Sequence, residues 1–256
     1  MNLSDKTILI TNDDGIYTPN IKILAEELQK KGMQIKVAAP LSEQSAVSHC
    51  ISLRQPLRVR EIKTNWFAVT GTPADCVYLG IYHLLDKPPD LIISGINNGF
   101  NLGSDLFYSG TFAGAMEAVI RGIPGLAISA PRNCQEAVVR GAARWAWTVA
   151  RRLLELEDQI TGYCFNLNHP DKTRVNQIKI TDMGERKYKD QVIVRQDPKG
   201  ENYYWLGGPG LKQTEGLKGG EIKALNAGHA SLTPVHLNIS NLNSSLVKKL
   251  EFTHEP

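Results

Sequence analysis

Residues 90–121 decide the fold, and they read DLIISGINNGFNLGSDLFYSGTFAGAMEAVIR. The segment begins with a short apolar run, Leu91–Ile93, which predicts a buried strand, and it ends in a helix-like stretch. Between them lies a long polar stretch that is rich in asparagine and glycine and closes with a Ser-Gly-Thr step. Such a composition suits an open loop that presents amide oxygens and free backbone N–H groups. A loop of this kind between a strand and a helix N-terminus is typical of an anion-binding site.

A strand–helix alternation continues on both sides of this segment. The predicted strands are 7–11, 35–39, 57–62, 66–69, 91–94 and 126–129, and the predicted helices are 20–31, 72–85, 111–121 and 136–154. The second helix begins with Thr72-Pro73-Ala74-Asp75, which reads as an N-cap, a proline at the first helical position and an acid in the first turn. Strands that alternate with helices form a mostly parallel sheet covered on both faces. The predicted fold class is therefore α/β.

The pattern changes after Tyr163. Only one further helix is predicted, a short one near Leu242–Leu250, and the predicted strands are 163–167, 177–180 and 191–195. Turn-rich polar stretches separate these strands. We interpret 1–256 as a single domain, in which 1–164 form an α/β core with the active site. Residues 165–256 would form a strand-rich extension and C-terminal arm, with a role in oligomerisation.

The composition is that of a globular chain with no specialised surface. Its 256 residues carry a formal net charge of only +3, without charged blocks, so a nucleic-acid polymer is not an expected partner. No apolar run approaches the length of a membrane span, and the first residues lack a signal-peptide pattern. The four cysteines are scattered and lack the spacing of a zinc site. These features predict a cytoplasmic protein with reduced thiols.

An acidic turn, Asn12-Asp13-Asp14-Gly15, follows the first predicted strand. Neighbouring strand side chains point to opposite faces, so two adjacent carboxylates converge on one ion only where the chain leaves strand geometry. Gly15 makes such a turn easy, and ligands of open parallel sheets bind beyond the carboxyl ends of the strands. Carboxylates also suit hard divalent cations. An ordinary Asx turn or helix N-cap explains the same four residues, so the turn alone leaves both interpretations open.

The 94–114 segment favours the metal site, because it leaves the carboxyl end of another predicted strand. Asn97 could then reach the same crevice as Asp13 and Asp14. At the mouth of the next helix, Ser109-Gly110-Thr111 could hold a phosphate through backbone N–H groups and hydroxyls. An ordinary helix cap by Ser109 or Thr111 explains that step equally well.

The polar segment 42–49 follows the second predicted strand and brings hydroxyls and an imidazole to the same edge. Ser45 could be a neutral metal ligand, although a serine in a polar loop is usually only solvated. His49 could position a phosphate or act as an acid, but a hydrogen-bonded structural role is favoured. Structural roles are also favoured for the aromatic run within 203–208 and for the two histidines of 228–236.

Taken in order, these motifs resemble the SurE family of survival-protein nucleotidases. The resemblance runs from Ile8 to about Leu237. The motifs on which the resemblance rests are Thr11-Asn12-Asp13-Asp14-Gly15, Ala39-Pro40 with Ser45, the 70–77 segment, Ser94-Gly95-Ile96-Asn97 through Asn101-Leu102-Gly103, Tyr108-Ser109-Gly110-Thr111 with Ala115-Met116-Glu117, and 228–236. Each motif is weak alone, whereas the ordered set is highly specific.

The resemblance implies a Rossmann-like three-layer core and a phosphatase that hydrolyses nucleoside 5′- and 3′-monophosphates. An exopolyphosphatase or another small-metabolite phosphatase is the alternative. The implied cofactor is one Mg²⁺ or Mn²⁺ per subunit, held by Asp13, Asp14, Ser45 and Asn97. The implied phosphate pocket is lined by Asn101, Ser109, Gly110 and Thr111. Homodimers or homotetramers that exchange C-terminal elements are also implied.

Asp13 and Asp14 would be the catalytic carboxylates. Attack by water is favoured over a covalent aspartyl route, which stays open, because carboxylates that hold a metal are poorer nucleophiles. A signalling receiver domain also carries paired acids after its first strand. That alternative fails because it needs an aspartate after the third strand and a lysine after the fifth, where this chain has Gly95-Ile96-Asn97 and Ala130-Pro131. A nucleotide-binding regulator without turnover is disfavoured.

Two positions depart from the family pattern. The family often carries an acid after the proline and a basic residue just before the serine, where this chain has Leu41 and Gln44. Because Ser45 itself is kept, the metal site is expected to be intact. The missing positive charge predicts a change in phosphate affinity or substrate preference.

Overall fold

The computed structural model describes residues 5–171, 177–186, 192–206 and 219–238. Its strands are β1 (Thr7–Thr11), β2 (Gln34–Pro40), β3 (Val59–Lys63), β4 (Trp66–Val69), β5 (Leu91–Asn98), β6 (Gly125–Ala130), β7 (Tyr163–Asn168), β8 (Ile178–Ile180), β9 (Val192–Gln196), β10 (Asn202–Leu206) and β11 (Ala230–His236). Its helices are α1 (Pro19–Gln29), α2 (Pro73–Leu79), α3 (Gly110–Ile120), α4 (Glu136–Leu156) and α5 (Gly220–Asn226). A π-helical turn, Gly80–Leu84, continues α2, and 3₁₀ turns span Gly103–Phe107 and Glu157–Ile160.

One large sheet organises the described residues, with the strand order β3-β4-β2-β1-β5-β6-β7-β11-β8. The strands from β4 to β7 in this order all run parallel to one another. Antiparallel pairing occurs only where β3 meets β4 and where β11 meets β7, among the strands of this described sheet. Strands β9 and β10 form a separate antiparallel ribbon. The prediction of a mostly parallel α/β core with a strand-rich extension is confirmed.

Helices cover both faces of the sheet. Ile8 and Ile10 of β1 pack in one buried cluster with residues of α1 and α4, whereas Leu9 packs on the opposite face with α2 residues and Ala118 of α3. Every residue of β1 is buried. Because both faces of β1 are covered, its central residues Ile8–Ile10 are all apolar and do not alternate with polar residues. The result is a three-layer arrangement with the sheet in the middle.

The start of α2 has the geometry that its sequence predicts. The Thr72 side chain accepts a hydrogen bond from the Asp75 backbone N–H, and the Asp75 carboxylate accepts one from the Thr72 N–H. This reciprocal pair is a capping box, and Pro73 occupies the first helical turn. Helix capping is therefore a sufficient explanation of this motif.

Three of the differences between the structure and the sequence prediction concern β5, α5 and β11. β5 continues to Asn98, where a loop was expected from residue 94. The expectation of only one late helix, near 242–250, is wrong, because α5 forms at 220–226; residues 242–250 themselves lie outside the described part of the chain. The 228–236 segment, interpreted only as structural, contains strand β11. Among the described residues, no helix is long and apolar enough to cross a membrane.

Candidate active site

The candidate site lies at the carboxyl edge of the parallel sheet. Strands β2, β1 and β5 are neighbours there, so the segments that follow them meet. They line one open cleft of about 920 Å³, to which Asp13 and Asp14, Ser45, and Asn97 all contribute. The structure therefore brings together the four side chains that the sequence analysis assigned to a metal ion. This position agrees with the general rule for ligands of open α/β sheets.

Asn12 builds the turn that carries the two aspartates. Its side-chain amide donates to the backbone oxygen of Gly15 at 2.9 Å, and its Oδ1 accepts from the Gly15 N–H at 3.2 Å. Asn12 is fully buried, and Gly15 has a φ of +103°, a conformation that L side chains rarely adopt. The Asx turn expected here is thus made by Asn12 alone. Asp13 and Asp14 are left to face the cleft.

Asp13 is held by the N-terminal turn of α3. Thr111 donates its backbone N–H to one carboxylate oxygen of Asp13 at 3.0 Å and its hydroxyl to the other at 2.5 Å. A methyl group at Gly110 would lie 2.9 Å from Cβ of Asp13 and 3.0 Å from the backbone oxygen of Gln44, so only glycine fits there. The hydroxyl and N–H of Thr111, which the sequence analysis directed at phosphate, therefore point at Asp13.

Both carboxylates carry a raised pKa. Burial is the main cause at Asp13, and it outweighs the opposing hydrogen bonds from Thr111. Burial and the neighbouring charge of Asp13 raise the pKa of Asp14 to about 6, against the opposing effects of the Asn98 N–H and the positive charge of Arg132. Two ionised carboxylates are thus unfavourable here without a compensating cation. A divalent ion between them would remove that penalty.

Ser45 lies on a loop that backbone and side-chain hydrogen bonds hold in place. The Gln44 N–H donates to the backbone oxygen of Asp13 at 2.7 Å, and the Ser48 N–H donates to the Tyr108 oxygen at 3.0 Å. Nε2 of His49 lies 2.7 Å from Oε2 of the buried Glu117, which confirms a structural hydrogen bond for this histidine. The Ser45 hydroxyl donates to Glu43 at 2.7 Å, so its oxygen lone pairs stay available to a cation.

Asn97, at the end of β5, completes the set of oxygen donors. Its amide nitrogen donates to the backbone oxygen of Gly99 at 2.7 Å, which leaves Oδ1 as the free acceptor. Two carboxylates, a hydroxyl and an amide oxygen are the chemistry that Mg²⁺ and Mn²⁺ prefer. No group of three or more His, Cys, Asp or Glu side chains in the described part of the chain could hold a metal. A cation would therefore depend on these neutral oxygens as well as on Asp13 and Asp14.

Asn101 occupies the floor of the cleft, and the end of β7 fixes its backbone. The side-chain amides of Asn166 and Asn168 both donate to the Asn101 oxygen, at 2.9 and 3.1 Å. Oδ1 of Asn168 accepts from the Asn101 N–H at 3.2 Å, and the Asn101 side chain donates to Ser129. The two β7 asparagines were missed by the sequence analysis. Polar residues at alternate positions of a buried strand were the available signal.

Ser109 is the N-cap of α3. Its hydroxyl oxygen accepts from the Phe112 N–H at 3.0 Å, and its own N–H donates to the Asp105 oxygen. Capping uses only the oxygen lone pairs, so the hydroxyl proton is still available to a ligand in the cleft, which Ser109 lines. The helix N-terminus and its partial positive charge face the same space. The capping and phosphate interpretations are thus compatible at this residue.

The extension supplies one wall of the cleft. Arg186 forms an ion pair with Asp105 of the 3₁₀ turn, and both residues line the cleft. Oε1 of the fully buried Glu221, in α5, accepts from the N–H groups of Gly103 at 2.5 Å and Gly184 at 3.0 Å. Sequence reasoning missed these contacts, because they join residues far apart in the chain.

The layered parallel sheet, with its oxygen-lined cleft at the carboxyl edge, defines a Rossmann-like α/β protein. The family model for survival protein SurE matches residues 8–190, and the chain belongs to that family. It is 42% identical over 244 residues to the 5′-nucleotidase SurE of Geotalea daltonii, covering 94% of this chain and 97% of that protein. It is 43% identical over 241 residues to the 5′-nucleotidase SurE of Geobacter sulfurreducens, covering 93% and 90%. The crystal structure of the SurE protein from Aquifex aeolicus matches with a TM-score of 0.79 and 37% identity, covering 95% of this chain and 98% of that chain.

Proposed function

We propose that this protein is a hydrolase that releases phosphate from nucleoside 5′- and 3′-monophosphates and depends on one Mg²⁺ or Mn²⁺ per subunit. The observation that carries the proposal is the meeting of Asp13, Asp14, Ser45 and Asn97 in one cleft. The similarity to proteins named 5′-nucleotidase SurE over more than nine-tenths of the chain supports the nucleotide as substrate.

Asp13, Asp14, Ser45 and Asn97 would hold the ion. A divalent ion bound there supplies Lewis acidity to a phosphate oxygen of the substrate. Thr111 orients Asp13 by binding both of its carboxylate oxygens. Those bonds also make Asp13 a poorer nucleophile, which favours in-line attack by water over a covalent aspartyl route.

The N-terminus of α3 and the floor of the cleft would bind the phosphoryl group. Ser109 can donate its hydroxyl proton, and Asn101 lines the same cleft, whereas Gly110 and Thr111 are not among the lining residues. Donors aimed at the phosphoryl oxygens stabilise the negative charge that develops in the transition state. In this arrangement Thr111 would contribute to phosphate binding only indirectly, by holding the Asp13 carboxylate in place.

The chain would act in the cytoplasm as one domain that assembles into homodimers or homotetramers. The β9–β10 ribbon exposes Val192, Val194, Tyr204 and Leu206, each at least 55% exposed. An isolated two-stranded ribbon is marginally stable in water, so a partner for this apolar face is expected. Light scattering coupled to gel filtration measures the assembly, and a monomer at micromolar concentration would contradict it.

A phosphate-release assay tests the activity. Purified protein is incubated with nucleoside 5′- and 3′-monophosphates and with short polyphosphate, in Mn²⁺, in Mg²⁺ or in a chelator. We expect turnover of the monophosphates with metal and none with chelator. Faster turnover of polyphosphate than of any nucleotide would replace the proposed substrate class.

Asp13→Asn tests the assignment of the site. The substitution removes the charge of the more buried carboxylate, and we expect turnover to fall at least a hundredfold. Loss of a residue that only supports a metal ligand typically costs about 10–100-fold in affinity or activity, and loss of the ligand itself should cost more. Asp86→Asn, an exposed position on another part of the surface, is the matched control and should keep full activity. Full metal-dependent turnover by a folded Asp13→Asn variant would mean that the site lies elsewhere.

A further inference from the structure

The loop that carries Ser45 brings no cationic side chain into the candidate cleft. From that loop the cleft is lined by Glu43, Ser45 and Ala46, none of which is cationic, and the residue before Ser45 is Gln44. Gln44 uses its backbone N–H to bind the Asp13 oxygen at 2.7 Å, and the residue is not among those that line the cleft. A phosphate in this cleft therefore needs a cationic partner from another element.

The charged side chains that line the cleft show how much positive charge a bound phosphate would require. Four carboxylates line it, against two guanidinium groups; they are Asp13, Asp14, Glu43 and Asp105, with Arg132 and Arg186. A divalent ion would balance the two excess negative charges. A phosphate dianion would then restore the same excess. Arg186 already forms an ion pair with Asp105. Of the two arginines in this lining, Arg132 is therefore the one that forms no ion pair with a described residue.

Arg132 is held at the edge of this cleft by its neighbours. The Asn133 N–H donates to Oδ1 of Asn98 at 2.7 Å, which ties the segment after β6 to the end of β5. The Asn98 N–H in turn donates to Asp14 at 3.1 Å, so the tie leads directly to the candidate metal site. The Arg132 side chain passes over Gly99, where a methyl group would lie 3.9 Å from its Nε. Within the described ranges, no side chain or backbone group forms a hydrogen bond or ion pair with the Arg132 guanidinium.

We propose that Arg132 binds the phosphate group of the substrate and sets the affinity of the cleft for phosphate monoesters. The assignment rests on the proposed function for the identity of the substrate. A guanidinium group matches two phosphate oxygens at once and keeps its charge at every physiological pH. Arg132 follows β6, on the opposite side of β1 and β5 from the Ser45 loop, and supplies a positive charge that the Ser45 loop does not bring to the cleft.

Arg132→Gln tests this role, with Arg151→Gln, an exposed arginine of α4, as the matched control for loss of one positive charge. Isothermal titration calorimetry measures the Kd for inorganic phosphate in the Mn²⁺-loaded protein, and the Kd for Mn²⁺ without phosphate. We expect phosphate to bind about tenfold more weakly to Arg132→Gln, the loss of one charge-assisted contact in a solvated cleft, and the control to match the unmodified protein. KM for a nucleoside monophosphate should rise by a similar factor, with a smaller change in kcat.

The Mn²⁺ measurement separates a charge effect from structural damage. Removing a positive charge near Asp14 should leave Mn²⁺ binding unchanged or tighten it a few-fold, whereas damage to the cleft would weaken both ligands. Equal phosphate affinity in Arg132→Gln and Arg151→Gln would overturn the proposal, and so would a parallel loss of Mn²⁺ affinity. If phosphate binds but no nucleotide is hydrolysed, the proposed function fails while the role of Arg132 is still decided by the phosphate Kd.

Discussion

Replacing Thr111 with valine removes a single hydroxyl from the support of Asp13. The two side chains have nearly the same shape, and Thr111 is fully buried, so the substitution changes hydrogen bonding with little change in packing. Oδ1 of Asp13 loses its donor, while the Thr111 N–H still binds Oδ2. A hydrogen bond to a charged group contributes about 1.5–3 kcal/mol, and at this buried position water cannot easily replace it.

The expected consequence is a loss of both stability and activity. An unsatisfied buried acceptor costs about 1–3 kcal/mol, which corresponds to a fall in Tm of roughly 2–10 °C for a chain of this size. Because the lost bond lowers the pKa of Asp13, its removal raises that pKa further and increases proton competition with a metal ion. Loss of such an outer partner typically lowers metal affinity or activity about 10–100-fold.

Differential scanning fluorimetry with and without Mn²⁺, together with steady-state kinetics, measures these effects. Thr111→Ser is the control, because it keeps the hydroxyl and loses only a methyl group, and it should retain most of the activity. The loss in Thr111→Val should appear mainly in kcat and in the Mn²⁺ requirement. Unchanged kinetics in Thr111→Val, or an equal loss in Thr111→Ser, would refute the view that this hydroxyl holds Asp13.

Two further predictions concern the same cleft. Because the folded-state pKa of Asp14 is raised to about 6, its contribution to the stability of the metal-free protein is present below the unfolded value near 3.9 and is lost as the pH rises through 6. The rise in Tm caused by Mn²⁺ should therefore be small at pH 4.5 and grow through pH 6, and an Asp14→Asn variant that kept this profile would contradict the assignment. Gly110→Ala would place a methyl group 2.9 Å from Cβ of Asp13 and should lower kcat/KM at least tenfold, a cost of about 1.4 kcal/mol of barrier per factor of ten. Wild-type kinetics in that variant would show that Asp13 has room to move.

The central part of the fold could be predicted because its strands are buried on both faces. β1 contains a continuous apolar run, Ile8–Ile10, and the structure places the strand at 7–11 as predicted. The capping residues around Thr72 likewise fix the start of α2 through bonds between residues three apart. Asp13 and Asp14 could be selected because an acidic turn follows a strand at the edge where ligands of such sheets bind.

The other features of the fold and of the candidate site depend on contacts that no local sequence pattern encodes. The bonds between Thr111 and Asp13 join residues 98 positions apart, so a phosphate role and a carboxylate-holding role looked alike in the sequence. Helix α5 has only seven residues and no side-chain cap, which leaves little periodicity to detect. Buried polar residues such as Ser231 and Thr233 concealed strand β11. Arg132 is an exposed loop residue, and only its place over the cleft distinguishes it.

The position of β11 has a consequence for synthesis of the chain. β11 is the last described strand to leave the ribosome, yet it lies inside the sheet between β7 and β8. Until residues 230–236 emerge, β7 has an open edge and β8 lacks the neighbour with which it pairs. Exposed strand edges promote pairing with other chains, so a nascent or truncated protein that ends near residue 190 would carry every candidate metal ligand on a sheet prone to association. Completion of the sheet, rather than assembly of the metal site, is then the step that the late part of the chain controls.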